Sequence, residues 1–128
     1  MPIKQLSLFV ENQPGSLSKV CQVLKENRIN ISTLSLADTR EYGILRLLIQ
    51  EHDRARVVLE KAGYVVKVTD VLALTVPDHP GGLADTLAIL DKHALSVEYM
   101  YAFTYGRSNK AIIVFRFENP DKAVEQLN

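Results

Sequence analysis

Two stretches of the chain decide its fold: LSLFVENQPGSLSKVCQVLKENRINI at residues 6–31 and LALTVPDHPGGLADTLAILDKHALSV at residues 72–97. They align without a gap at an offset of 66 and share seven identities in 26 positions, where average composition gives about one or two. The identical pairs are Leu6/Leu72, Leu8/Leu74, Val10/Val76, Pro14/Pro80, Gly15/Gly81, Leu17/Leu83 and Leu24/Leu90. A repeat of this length is a whole supersecondary unit, so the sequence predicts two similar modules, residues 1–70 and 71–128.

The first copy has the pattern of a strand, a Pro-Gly turn and a helix. Apolar residues alternate over Gln5–Val10, which is typical of a strand, and Pro14-Gly15 interrupts the alternation. From Ser16 onward apolar residues recur at helical spacing. Cys21 falls in this apolar stripe, which predicts a buried, inert thiol.

The remaining elements complete the order β-α-β-β-α-β, the split βαβ or ferredoxin-like unit. Strands are predicted at residues 31–37, with a bulge near Ser32-Thr33, at 43–49 and at 65–69. Asp53 is a candidate cap for the helix between the last two strands. The second copy repeats this order but stops after its second helix. The predicted fold is therefore α+β, with two ferredoxin-like antiparallel sheets that carry helices on one face, the second lacking its final strand.

Size and composition narrow the functional classes. The 128 residues are 47% hydrophobic and carry a formal net charge of zero, which argues against a nucleic-acid or anionic-membrane partner. One cysteine excludes an intramolecular disulfide, and the sequence lacks an apolar run near the length of a membrane span. A cytoplasmic protein is expected. Modules of about 65 residues are marginal alone, so we expect the two halves to pack together or the chain to form a homo-oligomer, most simply a dimer.

The turn between first strand and first helix is the best candidate for chemistry. In both copies a proline fixes the backbone and a glycine permits a tight turn and a close approach to a ligand. The helix that follows presents free N–H groups and a partial positive charge, which suit a carboxylate. An ordinary strand-to-helix turn is the better explanation of one isolated Pro-Gly, but two copies at the same place in a repeated fold weaken that explanation.

The run Asn12-Gln13-Pro14-Gly15-Ser16-Leu17, followed by Asn30-Ile31, resembles an ACT domain. ACT domains are small regulatory modules of ferredoxin-like topology that bind amino acids and control metabolic enzymes or transcription. The resemblance is good over residues 3–70 and less strict over residues 71–127. It implies a regulatory protein that binds an amino acid or a related carboxylate and acts in trans on an enzyme or a regulator.

The resemblance also implies which residues form the binding site. Family members use a side chain at the end of the first strand, often His, an Asn or Asp two residues later, and an Asn before the second strand. The first position is Val10 here, a departure from the pattern, while Asn12 and Asn30 keep the other two; an amide can bond both ends of an amino acid. The second copy has Ser96 at the third position, so the first copy is the better candidate. The predicted ligand-binding residues are Asn12, Gln13, Pro14, Gly15, Ser16, Asn30, Asp78, His79, Gly81 and Gly82.

Other functional classes have less support from the sequence. No catalytic constellation, metal-ligand spacing or phosphate-binding loop is evident, so neither an enzyme nor a metal or cofactor is predicted. The aromatic stripe Tyr99, Tyr101, Phe103 and Tyr105 is predicted on the sheet face away from the helices, as a covered interface or a ligand platform. RNA-recognition modules use such stripes, and residues 110–117 weakly resemble their second motif but lack its Gly and its aromatic spacing. A ligand-independent interaction module or small regulatory subunit remains the alternative.

Overall fold

The computed structural model describes residues 2–38, 40–104 and 109–127, which contain six strands and four helices. The elements are β1 (Pro2–Glu11), α1 (Ser16–Glu26), β2 (Thr33–Asp38), β3 (Tyr42–Leu48), α2 (His52–Lys61), β4 (Val66–Pro77), α3 (Gly82–Lys92), β5 (Val97–Thr104), β6 (Lys110–Phe117) and α4 (Pro120–Leu127). The predicted α+β class with antiparallel strands is confirmed.

Contacts divide the chain into two compact units. The first unit is Lys4–Thr69, and the second unit is Asp70–Asn128 together with Met1–Ile3. The strands β1 and β4 each contribute residues to both units. The module boundaries given by the repeat, residues 1–70 and 71–128, remain a prediction.

The first unit has its core on the helix-bearing face of the sheet. In this unit β1 pairs with β3 and β3 pairs with β2, with Leu6 opposite Leu47 and Leu36 opposite Leu45. Alternate strand residues on this face meet α1 and α2, as a period of two requires. The core consists of Leu6, Leu8, Val10, Val20, Leu24, Ile29, Leu45, Leu47, Ile49, Ala55 and Leu59.

The second unit repeats this arrangement with a separate core. Here β4 pairs with β6 and β6 pairs with β5, with Leu72 and Met100 both opposite Phe115. The rings of Phe115 and Phe117 stack with centroids 5.6 Å apart. The core consists of Leu72, Val76, Leu90, Leu95, Ile113, Phe115, Phe117 and Ala123.

Among the described residues of the second unit, α4 is the last element. Pro2 and Ile3, the first residues of β1, belong to this unit. An extended segment from the beginning of the chain therefore forms part of a unit whose other elements come from its second half.

The bulge predicted near Ser32-Thr33 is wrong. The strand β2 begins at Thr33 and pairs with β3 without a shift as far as Asp38. Ile31 precedes the strand, so it need not follow the strand's alternation, and the change of parity in the sequence marks where the strand begins. A register shift occurs instead between Val97 and Tyr99 in β5.

Three further expectations also differ from the structure. The strand predicted at residues 65–69 does not end there, because β4 is continuous over Val66–Pro77. Asp53 lies in the first turn of α2, whose N-cap is Glu51. Cys21 is exposed, because the core side of α1 is formed by Val20 and Leu24, with Leu17 and Val23 packed beside them.

Arg54 connects the beginning of α2 to the end of α1. Its Nη1 donates to the Glu51 carboxylate at 3.3 Å, and its Nη2 donates to the Asn27 carbonyl oxygen.

Because the Arg54 side chain is about half exposed, we expect Arg54→Met to lower the free energy of unfolding by only about 1 kcal/mol, measured by urea unfolding. Arg56→Met is the matched control, since within the described part of the chain the one ion pair of Arg56 is with Glu60, at 3.7 Å, and the variant should lose less than about 0.5 kcal/mol. Equal losses would contradict a role for the Asn27 contact.

Candidate functional site

The first turn, residues 11–16, is held by its own backbone. The Gln13 N–H donates to Glu11 O at 2.9 Å, and the Ser16 N–H donates to Gln13 O at 3.2 Å. Gly15 has φ 89°, and a Cβ built there would meet nothing within 4 Å. Glycine is therefore favoured here by the left-handed backbone and not by crowding, and the space beside it is open.

Asn12 is the most available polar side chain of this turn. Its N–H donates to Glu41 O at 2.9 Å, which fixes the backbone beside the β2–β3 turn, and its Nδ2 is 3.5 Å from Arg40 O, at the limit of a hydrogen bond. Its Oδ1 accepts no hydrogen bond from the described residues, and Asn12, Gln13, Pro14 and Gly15 are all exposed. The amide can therefore turn toward a ligand with little rearrangement.

The helix that follows the first turn begins with uncompensated positive charge. The first N–H groups of a helix have no partner within it, and α1 has neither a side-chain cap nor an acidic residue in its first turn. The corresponding helix α3 carries Asp85 in its first turn. A carboxylate would therefore be stabilised more at the beginning of α1 than at the beginning of α3.

The second turn, residues 77–82, is more closed than the first. The Asp78 N–H donates to Asn109 O at 2.7 Å, and the Gly82 N–H donates to His79 O at 3.0 Å. Gly82 is buried, and a Cβ built on it would overlap the Pro77 carbonyl oxygen and lie 3.0 Å from its carbon. The backbone of Pro77 therefore fills the space into which Ser16 projects in the first copy.

The side chains of the second turn face solvent. Asp78 and His79 are exposed, and His79 Nδ1 lies 2.9 Å from Pro80 O. Gly81 has φ 86°, and a Cβ built there would meet open space, as at Gly15. The second turn keeps the conformation of the first but offers a ligand less room at the helix terminus.

The structure separates Asn30 from the first turn. Asn12 is tied to Glu41, next to the beginning of β3, whereas Ser32, two residues after Asn30, donates to Leu48 O at the end of β3. Seven residues of strand between these points span about 20 Å. Asn12 and Asn30 of one unit cannot contact the same amino acid, and by the same topology Asp78 and Ser96 lie at opposite ends of β6.

The division of faces predicted for β5 is confirmed for the described side chains. Tyr99 and Tyr101 lie opposite Arg116 and Val114, on the face away from the second core, whereas Met100 lies opposite the core residue Phe115. Tyr105 lies outside the described residues. Arg116 donates to Glu98 at 3.2 Å and to Asp70 O at 3.0 Å, so its charge is already engaged and this face makes a poor phosphate platform.

The part of the chain that the structure describes lacks two other kinds of feature. No helix there is long and apolar enough to cross a membrane. No group of three or more His, Cys, Asp or Glu side chains there is arranged to hold a metal ion.

Comparison with known proteins identifies similar chains. A Bacteroides thetaiotaomicron protein of solved crystal structure is 39% identical, with a TM-score of 0.93, over 99% of this chain and 87% of that one. The ligand-free regulatory subunit of aspartate kinase from Thermus thermophilus is 16% identical, with a TM-score of 0.68, over 97% of this chain and 89% of that one. At that identity the second match shows the fold alone.

Among curated proteins, the acetolactate synthase small subunit of Buchnera aphidicola is 30% identical over 70 residues. The match covers 55% of this chain and 44% of that protein, so the chain corresponds to less than half of this relative. The model of the protein family described as "ACT domain pair" matches residues 1–127, nearly the whole chain. The chain therefore belongs to the ACT domain pair family.

Proposed function

We propose that this protein binds an amino acid or a related small carboxylate at its first Pro-Gly turn and regulates a metabolic enzyme in trans. The observation that carries the proposal is the exposed first turn, where the open space at Gly15, the Asn12 amide and the beginning of α1 lie together. The carboxylate accepts hydrogen bonds from the N–H groups of the first helical turn. The Asn12 Oδ1 accepts one from the ammonium group.

The position of Asn30 indicates a ligand site that is shared between two copies of the chain. Because Asn30 lies about 20 Å from Asn12 within its own unit, it reaches a ligand at this turn from a second copy of the chain. Ligand binding then favours one packing of two copies over another, which is a shift of population and needs only a difference in affinity between the two states. The second turn, with Asp78, His79, Gly81 and Gly82, is a weaker site of the same kind.

The regulated partner is proposed to be an enzyme of amino-acid metabolism in the cytoplasm. Relatives carry the names of an acetolactate synthase small subunit and an aspartate kinase regulatory subunit, and the chain itself has no catalytic role in this proposal. The alternative is a subunit that docks onto an enzyme without a ligand. Capture of partners from a lysate with and without the bound amino acid separates the two, because only the first proposal predicts a dependence on ligand.

Asn12→Ala tests the site directly. We expect titration calorimetry with the twenty amino acids to find a ligand, and the variant to bind it about tenfold more weakly, since a hydrogen bond to a charged group is lost. Gln22→Ala is the matched control, because Gln22 is an exposed amide on α1 whose one side-chain hydrogen bond among the described residues is to Glu26, and the variant should bind normally. Absence of heat and of thermal stabilisation with all twenty amino acids would overturn the proposal.

A further inference from the structure

A cavity of about 440 Å³ lies in the second unit, at the end opposite its Pro-Gly turn. The strand β6 runs from Lys110, which is opposite Pro77 at that turn, to Phe117 at the cavity. The cavity lies between the α3–β5 loop, at Leu95 and Ser96, and the β6–α4 loop. Its volume falls within the range of small-molecule sites.

Two charges of opposite sign line this cavity. Lys122 Nζ donates to Ala94 O at 3.3 Å, which leaves two of its three N–H donors available. In the described chain, Glu118 and Lys122 form no ion pair with each other or with another residue. A lysine and a glutamate therefore line one space, and neither has a counter-ion among the described residues.

The walls of the cavity are fixed by hydrogen bonds and by the core. The Glu118 N–H donates to Ser96 O at 2.9 Å, and the Lys122 N–H donates to Asn119 Oδ1 at 3.1 Å. Leu95 and Phe117 are buried core residues that form an apolar floor. The two charged side chains therefore project from backbone that is already ordered.

The first unit uses the corresponding cation differently. Arg54 is the third residue of α2, as Lys122 is the third residue of α4, and both reach a carbonyl oxygen at the end of the preceding helix region. Arg54 is also paired with Glu51 at 3.3 Å. The cation is thus neutralised within the first unit and left available in the second.

We propose that this cavity is a second ligand site, which holds the zwitterionic head group of an α-amino acid. Lys122 donates to the carboxylate, Glu118 accepts from the ammonium group, and an apolar side chain rests on Leu95 and Phe117. The site rests on the proposed function as an amino-acid sensor but adds a position that is remote from both Pro-Gly turns. It gives one chain two kinds of site for one class of ligand.

The test is an NMR titration of the full chain, labelled with ¹⁵N, using L-leucine, 4-methylpentanoate and isopentylamine. The two analogues keep the side chain and remove one charge each. We expect leucine to shift the amide signals of Ser96, Glu118 and Lys122, and each analogue to bind at least about tenfold more weakly. Equal binding of either analogue would overturn the recognition of a zwitterion.

Variants assign the charges. Lys122→Met and Glu118→Gln should each weaken leucine binding at this site by about tenfold or more, while Lys122→Arg keeps the charge and should retain it. Lys110→Met is the matched control at the other end of β6 and should bind normally. Shifts confined to residues 12–18 would overturn this inference and leave the proposed function standing, whereas an absence of shifts with every amino acid would overturn both.

Discussion

Gly82→Ala should lower the free energy of unfolding by about 3 kcal/mol, a large effect for the addition of one methyl group. The new Cβ would overlap the Pro77 carbonyl oxygen and lie 3.0 Å from the Pro77 carbonyl carbon. Both are backbone atoms of the residue that ends β4, so no side chain can rotate to relieve the overlap. The turn must move away from α3, and urea unfolding followed by circular dichroism measures the loss.

Gly15→Ala is the control that separates crowding from backbone strain. Gly15 has φ 89° but open space around its Cβ position, whereas Gly82 is not among the glycines with positive φ. The control should therefore lose about 1 kcal/mol, the cost of a left-handed alanine. A loss at Gly82 no larger than that at Gly15 would contradict the proposed overlap with Pro77.

These two variants also bear on which turn is suited to a ligand. The sequence repeat copies Pro-Gly at the same offset, which correctly predicts both turns and the helices that follow them, and in the structure both glycines have a left-handed backbone. The sequence does not reveal that the Pro77 carbonyl group lies against the beginning of α3, because that depends on the path of the backbone. Ser16 and Gly82 differ by a side chain, and in the second copy the carbonyl of Pro77 occupies the space.

The separation of Asn12 from Asn30 could have been predicted from the order of the elements in the sequence. A strand, a helix and a second strand parallel to the first place the end of one strand and the beginning of the next at opposite ends of a sheet. The family resemblance groups the polar positions together without saying which end of the sheet each occupies. The pairing of β1 and β2 with β3 resolves this question. It places Asn12 beside the beginning of β3 and Asn30 near its end.

Other features of the site depend on packing that periodicity does not specify. A helical stripe defines a face only to within about one residue, so the position of Cys21 at its margin could not be decided from spacing. In the sequence, Glu118 and Lys122 are two of several charged residues around the beginning of the last helix, and nothing distinguishes them. Their common cavity arises only when the β6–α4 loop is placed beside Ser96.

Phe115→Ala should lower the free energy of unfolding by about 4 kcal/mol, the range for removing a buried aromatic ring. Phe115 is 0% exposed, lies opposite both Leu72 and Met100, and stacks on Phe117. The substitution leaves a cavity and removes the support of the ring that forms the floor of the second ligand site. Phe115→Leu retains most of the volume and should lose less than about 1.5 kcal/mol.

Hydrogen exchange shows where that loss falls. The two buried cores share no residue, since Phe115 belongs to the second and Leu45 to the first. We therefore expect Phe115→Ala to reduce protection mainly in β5, β6 and residues 70–77 of β4, and to reduce it much less in β3. Leu45→Ala is the matched variant, with the reverse pattern and a loss of about 3 kcal/mol. If either variant lowered protection equally in the strands of both units, the two cores would unfold as one cooperative body. A ligand bound to one unit would then stabilise both.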